Sequence, residues 1–261
     1  MSAVDDTSLL SVRGLTKYYG ARIGCEDVSF DLYEGEVLAI VGESGSGKST
    51  LLSLLSTELA PDSGALAYRM RDGAVRDLLA LPESARRLLL RTDWGFVRQD
   101  AREGLRMNVS AGGNVGERLM AVGARHYGNI RATAADWLER VEIDANRIDD
   151  KPYSFSGGMR QRLQIARNLV TGPRLVFMDE PTSGLDVSVQ ARLLDLVRGL
   201  VSQLRLAVII VTHDLAVARL LSHRIMVMQR GHVIEAGLTD QVLDDPREAY
   251  TQLLVSSVLA A

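Results

Sequence analysis

The chain has 261 residues, 46% of them hydrophobic and 24% charged, and a net charge of −3. These values suit one large α/β domain, or a core with one inserted subdomain, and give no bulk affinity for nucleic acid. A single cysteine, Cys25, excludes an internal disulfide and any iron–sulfur or zinc site ligated by cysteines of this chain alone; no apolar run approaches the roughly 18–20 residues of a membrane-spanning helix.

Met1–Leu10 carries Asp5 and Asp6 and no basic stretch, so no signal peptide is expected and a cytoplasmic location fits. Leu9–Val12 and Val28–Leu32 predict short strands, with Cys25 a small half-buried residue beside one of them. Gly64–Tyr68 adds a third, and the three together suggest a small antiparallel sheet. Between them the apolar run Val37–Val41 leads into Gly42-Glu43-Ser44-Gly45-Ser46-Gly47-Lys48-Ser49, followed by a helical pattern over Thr50–Leu59. Trp94–Arg98 predicts another strand. Gly104–Arg131 is rich in Gly and Asn and reads as loop with one short helix near Glu117–Val122. Ala132–Val141 reads as helix, and the stretch 100–155 as a helical insertion into the core. Ser156 caps a long amphipathic helix reaching about Val170. Apolar strands at Leu175–Met178, Ala207–Val211 and Arg224–Met228 follow, with a helix Val189–Gln203 between the first two. Apolar strands alternating with helices predict a parallel sheet covered on both faces.

Strand, Gly-rich turn and helix are the context that a phosphate-binding loop requires. Glycines let successive N–H groups point inward, and the positive end of the following helix completes an anion cradle. Lys48 can reach β- and γ-phosphates, and the Ser49 hydroxyl can ligate Mg²⁺. Only Lys17, Lys48 and Lys151 are lysines in this arginine-rich chain, so a compact ammonium at position 48 is informative. The strand Leu175–Met178 ends in Asp179 and Glu180; the first can hold Mg²⁺ and the second can polarise an attacking water. A plain strand-to-loop boundary also leaves acids there. Pro181 stops the strand, and Ser183–Asp186 turns the chain. Ser156-Gly157-Gly158-Met159 opens a helix and offers a second anion site, or only a cap. His213, Gln99 and the pair Tyr18–Tyr19 are each unremarkable alone.

Between Arg86 and Arg131 nine arginines face four acids, a window of net +5 that leaves −8 elsewhere. It reads as a solvated face, as a docking surface for an acidic partner or as a nucleic-acid contact.

Taken in order and spacing, these motifs resemble the ATP-binding-cassette (ABC) ATPases from about Leu9 to Leu254. The resemblance implies an α/β fold: a P-loop NTPase (RecA-like) parallel-sheet core with an antiparallel β subdomain and an inserted α-helical subdomain. It implies one cassette over 1–261, with core about 1–99 and 156–261. Tyr19 would stack on adenine, and Gly42, Glu43, Ser44, Gly45, Ser46, Gly47, Lys48, Ser49 and Thr50 would form Walker A. Gln99 would contact Mg²⁺ and the attacking water, Asp179 would hold Mg²⁺, and Glu180 would be the catalytic glutamate. Asp186 matches the D-loop aspartate and His213 the switch histidine at the γ-phosphate. Ser156, Gly157, Gly158 and Met159 match the signature, which completes the ATP site of a second copy in a head-to-tail homodimer. The family's usual Leu-Ser-Gly-Gly-Gln is here Phe155-Ser156-Gly157-Gly158-Met159, so an amide side chain is lost.

The end, Asp245-Pro246-Arg247-Glu248-Ala249-Tyr250-Thr251-Gln252-Leu253-Leu254, looks like the tail of oligopeptide and dipeptide importer ATPases. The stretches Val109–Asn114, Gly116–Met120 and Gly123–Gly128 resemble another branch, the ATP-binding K subunits of the bacterial carbon–phosphorus lyase system for phosphonate degradation. That likeness implies a cytoplasmic ATPase docked on lyase core subunits, with the Arg-rich segment 86–131 against an acidic surface. C–P cleavage needs radical chemistry that one cysteine cannot support, so the lyase activity lies elsewhere. The competing class is the ATP-hydrolysing subunit of a peptide or phosphonate importer. Nucleic-acid-associated cassettes carry coiled-coil insertions or tandem cassettes, which this chain lacks.

Overall fold

The computed structural model describes residues 7–259. The acids Asp5 and Asp6, on which the reading of the amino end rests, lie outside them. In chain order the elements are β1 (Leu10–Tyr19), β2 (Arg22–Leu32), β3 (Val37–Val41), α1 (Lys48–Leu55), β4 (Ser63–Arg69), β5 (Val75–Asp77), α2 (Glu83–Thr92) and β6 (Trp94–Val97). There follow α3 (Ala101–Gly104), α4 (Ala111–Ala121), α5 (Tyr127–Arg140), α6 (Gly157–Leu169), β7 (Leu175–Asp179) and α7 (Val187–Leu204). The chain closes with β8 (Ala207–Thr212), α8 (Leu215–Leu221), β9 (Arg224–Gln229), β10 (His232–Leu238), α9 (Thr239–Asp244) and α10 (Ala249–Leu259). It forms two compact units, residues 1–86 with 205–261, and residues 87–204.

The first unit holds an antiparallel sheet in the order β2-β1-β4-β5. β1 and β2 are far longer than expected, pairing from Leu10 with Leu32 to Tyr19 with Arg22. The alternation that betrays a strand is broken by register shifts after Val12, where Gly14 takes a left-handed φ of 59°. Cys25 lies within β2 and is fully buried, not half-buried beside a strand, and burial pushes its thiol up to about 11. A second set of strands runs β10-β9-β3-β8, with β3 parallel to both β8 and β9 and β10 antiparallel to β9. Every residue of β3 and β8 is buried, which is why both read as continuous apolar runs. Helices α1 and α8 pack against them.

The second unit holds the parallel pair β6–β7 and the helices α3 to α7. The expectation for 104–131 needs correction: α4 spans Ala111–Ala121 and α5 already begins at Tyr127. Glycines 112, 113 and 116 sit inside α4 because there is no room for a side chain. A Cβ there would lie 2.4 Å from Ile148, 2.6 Å from Val109 and 2.7 Å from Ile130. Their helix cost of roughly 1 kcal/mol each is accepted for close packing. The helix α2, absent from the elements predicted above, buries one side chain, Leu89.

Nor is the Arg-rich window one exposed face. Arg118 turns inward and donates to the carbonyls of Leu90 (3.0 Å) and Trp94 (3.1 Å), and burial pushes its guanidinium down to about 10. Arg131 grips Asp149 through two hydrogen bonds of 2.7 Å, and Arg125 donates to the carbonyls of Met120 and Ala124. Arg87, Arg91, Arg102 and Arg106 remain exposed.

Candidate nucleotide-binding site

In the first unit β3 delivers its chain directly into the loop Gly42–Ser49. Gly42 (φ 150°) passes under β9, where a Cβ would fall 2.2 Å from the Met228 carbonyl oxygen. Gly47 (φ 107°) passes over β2, where a Cβ would meet the Gly24 carbonyl oxygen at 2.3 Å. The Gly231 N–H donates to the Ser46 carbonyl at 2.8 Å and pins the loop to the turn between β9 and β10. α1 starts at Lys48 with Gly47 as its N-cap and no side-chain cap, so its first-turn N–H groups face outward to a ligand. Lys48 is 5% exposed, and its ammonium donates to the carbonyls of Gly42 (2.7 Å) and Glu43 (2.9 Å). An ammonium held on backbone carbonyls at the loop's own stem can transfer to phosphate oxygens with little side-chain movement.

Tyr19, 49% exposed, lies beside this loop and lines a cleft of about 250 Å³ with Arg22, Ile23, Gly24, Gly45, Gly47 and Thr50. Gly24 leaves the gap, since a Cβ there would stand 2.9 Å from the Tyr19 ring and 3.0 Å from Thr50. His213 follows β8 and is exposed; the next residue, Asp214, caps α8 by accepting from Ala216 N–H at 2.8 Å. That cap fixes the loop that presents the imidazole.

In the second unit Asp179 ends β7, and Glu180 adopts a left-handed φ of 41° just before Pro181. Such a conformation costs a non-glycine residue on the order of 1–3 kcal/mol and concentrates at functional sites. Asp179 and Gln99 line one polar cavity of about 510 Å³ together with Gly157, Arg160, Gln161 and Ser183. The Gln99 amide donates to the Ser183 hydroxyl at 3.2 Å.

Sequence reasoning missed what positions Gln99. Gln164 is fully buried and Gln161 nearly so, both on α6. The Gln164 Oε1 accepts from Arg98 N–H at 2.6 Å, while both Nε2 groups donate to the Arg98 carbonyl at 3.2 Å. Asn168, one turn on, accepts from Phe96 N–H at 3.0 Å. The amides at 161, 164 and 168 thus serve the backbone of β6 and of Arg98 just after it, as a neighbouring strand would. Their spacing of three and four on one face was the available signal.

Ser156 caps α6, its hydroxyl accepting from Met159 N–H at 3.3 Å. Gly158 lies against α7, where a Cβ would meet Val189 at 2.4 Å. Arg147 was also missed. It lies over the Phe155 ring at 4.6 Å, donates to the Met159 sulfur at 3.4 Å and pairs with Asp150 at 2.7 Å. The thioether therefore ties the signature segment to Arg147. Replacing Arg147 by Ala is expected to lower turnover severalfold and Tm by about 2–5 °C while leaving the KM for ATP near wild type; steady-state kinetics and a thermal melt check this. Asp186 is exposed, and its carbonyl accepts from Gln190 N–H at 2.8 Å as α7 begins.

Among the described residues no group of three or more His, Cys, Asp or Glu side chains comes together to hold a metal ion. None of the described helices is long and apolar enough to cross a membrane.

The family description that matches is that of the ABC transporter, over residues 25–183. The chain belongs to the ABC transporter family. It is an ATP-binding, ATP-hydrolysing cassette with that family's α/β fold. It is 68% identical to PhnK of Escherichia coli (strain K12), named for phosphonates utilization and ATP binding, over 96% of this chain and 98% of that one. It is 36% identical to the dipeptide transport ATP-binding protein DppF of Haemophilus influenzae, over 97% of this cassette and 79% of DppF. Among solved structures, the dimeric post-hydrolysis state of the cassette MJ0796 bound to ADP and Pi superposes with a TM-score of 0.78 at 28% identity. That match covers 88% of this chain and 98% of MJ0796.

Proposed function

We propose that this cassette hydrolyses ATP as a head-to-tail pair of copies, and that the cycle drives conformational change in a carbon–phosphorus lyase complex during phosphonate breakdown. The carrying observation is the 68% identity with PhnK over nearly the whole of both chains, against 36% with the dipeptide transport relative. The whole chain then acts as one cassette in the cytoplasm, with 100–155 as its helical insertion.

In this reading the loop Gly42–Thr50 and Lys48 hold the phosphates, and Tyr19 stacks on adenine. Ser49, Asp179 and Gln99 offer hydroxyl, carboxylate and amide oxygens, hard donors that suit Mg²⁺. Held by these residues, Mg²⁺ would supply charge neutralisation to the phosphates. Glu180 accepts a proton from the attacking water, which Gln99 helps to orient, and His213 contacts the γ-phosphate. Ser156–Met159 and Asp186 of a second copy close the far side of the nucleotide. Loss of the γ-phosphate removes the charge that holds the two copies together.

The exposed arginines of the segment 86–131 supply the docking charge. Arg118 is excluded from that role because it serves the backbone of its own unit. Charge reversal at Arg102 and Arg106 is expected to weaken capture by purified lyase core at least tenfold, and added salt to do the same. The deciding experiment is co-purification with lyase subunits, with and without a non-hydrolysable ATP analogue. Nucleotide-dependent recovery on the core supports the proposal. Recovery with a membrane permease instead would assign the cassette to an importer.

A further inference from the structure

We propose that Tyr250, in the carboxyl-terminal helix, is a positioning residue for the phosphate loop. Its phenolic oxygen accepts the Glu43 N–H at 3.1 Å across 207 residues of sequence. The carbonyl of the same residue accepts from the Lys48 ammonium at 2.9 Å and from Ser46 N–H at 3.2 Å. The Glu43 backbone is thus held on its N–H side by the tail and on its carbonyl side by the loop itself. Rotation of the peptide preceding Glu43 would break the tail contact and shift the Gly42 carbonyl that also holds Lys48, and rotation of the one following it would remove the second of the two carbonyls on which Lys48 rests.

The tail can act as a fixed anchor because its own start is tied down. The Glu235 carboxylate, on β10, accepts from Arg247 N–H at 2.9 Å and from Glu248 N–H at 3.2 Å, as a capping acid does for a helix start. The Gln252 amide closes the turn by donating to the Pro246 carbonyl at 2.9 Å. Thr251, next to Tyr250, is 1% exposed, so this turn of α10 is packed and not a loose end. β10 pairs with β9, and β9 with β3, the strand that feeds the loop. The contacts form a closed ring: β3, β9, β10, Glu235, α10, Tyr250, Glu43 and back to β3. A ring of this kind resists displacement of the loop stem better than the strand alone, because no member can move without breaking a hydrogen bond.

This inference rests on the reading of Gly42–Thr50 as the phosphate site. Tyr250→Phe keeps the ring and removes the acceptor. One such hydrogen bond corresponds to about a three- to tenfold change in an equilibrium constant. We expect the Kd and KM for ATP to rise by that factor with kcat at saturating ATP within twofold, the pattern of lost uniform binding. The Glu43 amide should exchange with solvent at least tenfold faster by NMR, while amides in β3 such as Leu38 stay unchanged. A residue with only a structural role would lower Tm and speed exchange throughout the unit. Glu235→Gln weakens the anchor, and a smaller change in the same direction is expected; it serves if Tyr250→Phe does not fold. Unchanged Glu43 exchange or unchanged ATP affinity in the folded variant overturns the proposal. Lys48→Ala separates the two readings. If it binds ATP like wild type, the phosphate-loop reading fails; if it loses ATP while Tyr250→Phe does not, only the role of Tyr250 fails.

Discussion

Replacing Glu180 by Gln is expected to slow ATP hydrolysis by roughly 10²–10⁴-fold while leaving ATP affinity within a few fold of wild type. The amide keeps the size and the hydrogen-bonding reach of the carboxylate but cannot take a proton from water. The backbone makes the site unusual, because Glu180 sits at φ 41° immediately before Pro181. Neither feature favours a long side chain, and proline narrows the choices of the residue preceding it. Glu180→Gln retains that strain, so its Tm should match wild type. Glu180→Gly removes both carboxylate and strain, so it should be equally inactive with a Tm equal to or above that of wild type. Single-turnover hydrolysis, nucleotide binding and thermal melts of the two variants separate the chemical role from the conformational one. Turnover near wild type in Glu180→Gln would refute the assignment.

Gln164→Leu is expected to be the most damaging change away from the phosphates. Leucine has a similar volume but leaves Arg98 N–H without its 2.6 Å acceptor and weakens the hold on the Arg98 carbonyl. Each buried backbone group left without a partner costs about 1–3 kcal/mol. Only the Arg98 N–H is orphaned, since Gln161 still donates to the carbonyl, and its roughly 1–3 kcal/mol corresponds to a fall in Tm of about 2–12 °C. Because Gln99 follows Arg98 directly, kcat should drop further than the loss of folded protein explains. Gln164→Glu tests the geometry, since it keeps an acceptor for Arg98 N–H and loses the donor to the carbonyl. An unaltered Tm and kcat in Gln164→Leu would show that α6 does not hold this peptide.

The sequence displayed best whatever is built by neighbours along the chain. The strand β3, its glycine turn and the start of α1 are contiguous, so this strand–turn–helix unit is legible from spacing alone. The ends of β7 and β8 were equally plain, because a fully buried strand leaves an unbroken apolar run. Elements whose reason lies far away were hidden. Glycines 112, 113 and 116 look like loop residues until Ile148, Val109 and Ile130 are seen to occupy the space. Arg118 looks like surface charge until the carbonyls of Leu90 and Trp94 appear beneath it. β1 and β2 run further than the sequence predicts, because their bulges interrupt the alternation of period two. Tyr250 stands in the sequence as part of a tail, and nothing local connects it to Glu43.

Helix α6 has a mechanical corollary. Ser156 caps its tip, and along its body Asn168 grips β6 while Gln161 and Gln164 grip Arg98 just after it. From Ser156 to Gln164 is about 12 Å of continuous helix. The orientation of the tip and the place of the peptide before Gln99 are therefore two readings of one lever. A load applied at α3, which packs on α6, tilts both at once. A docked partner needs no separate wire to each.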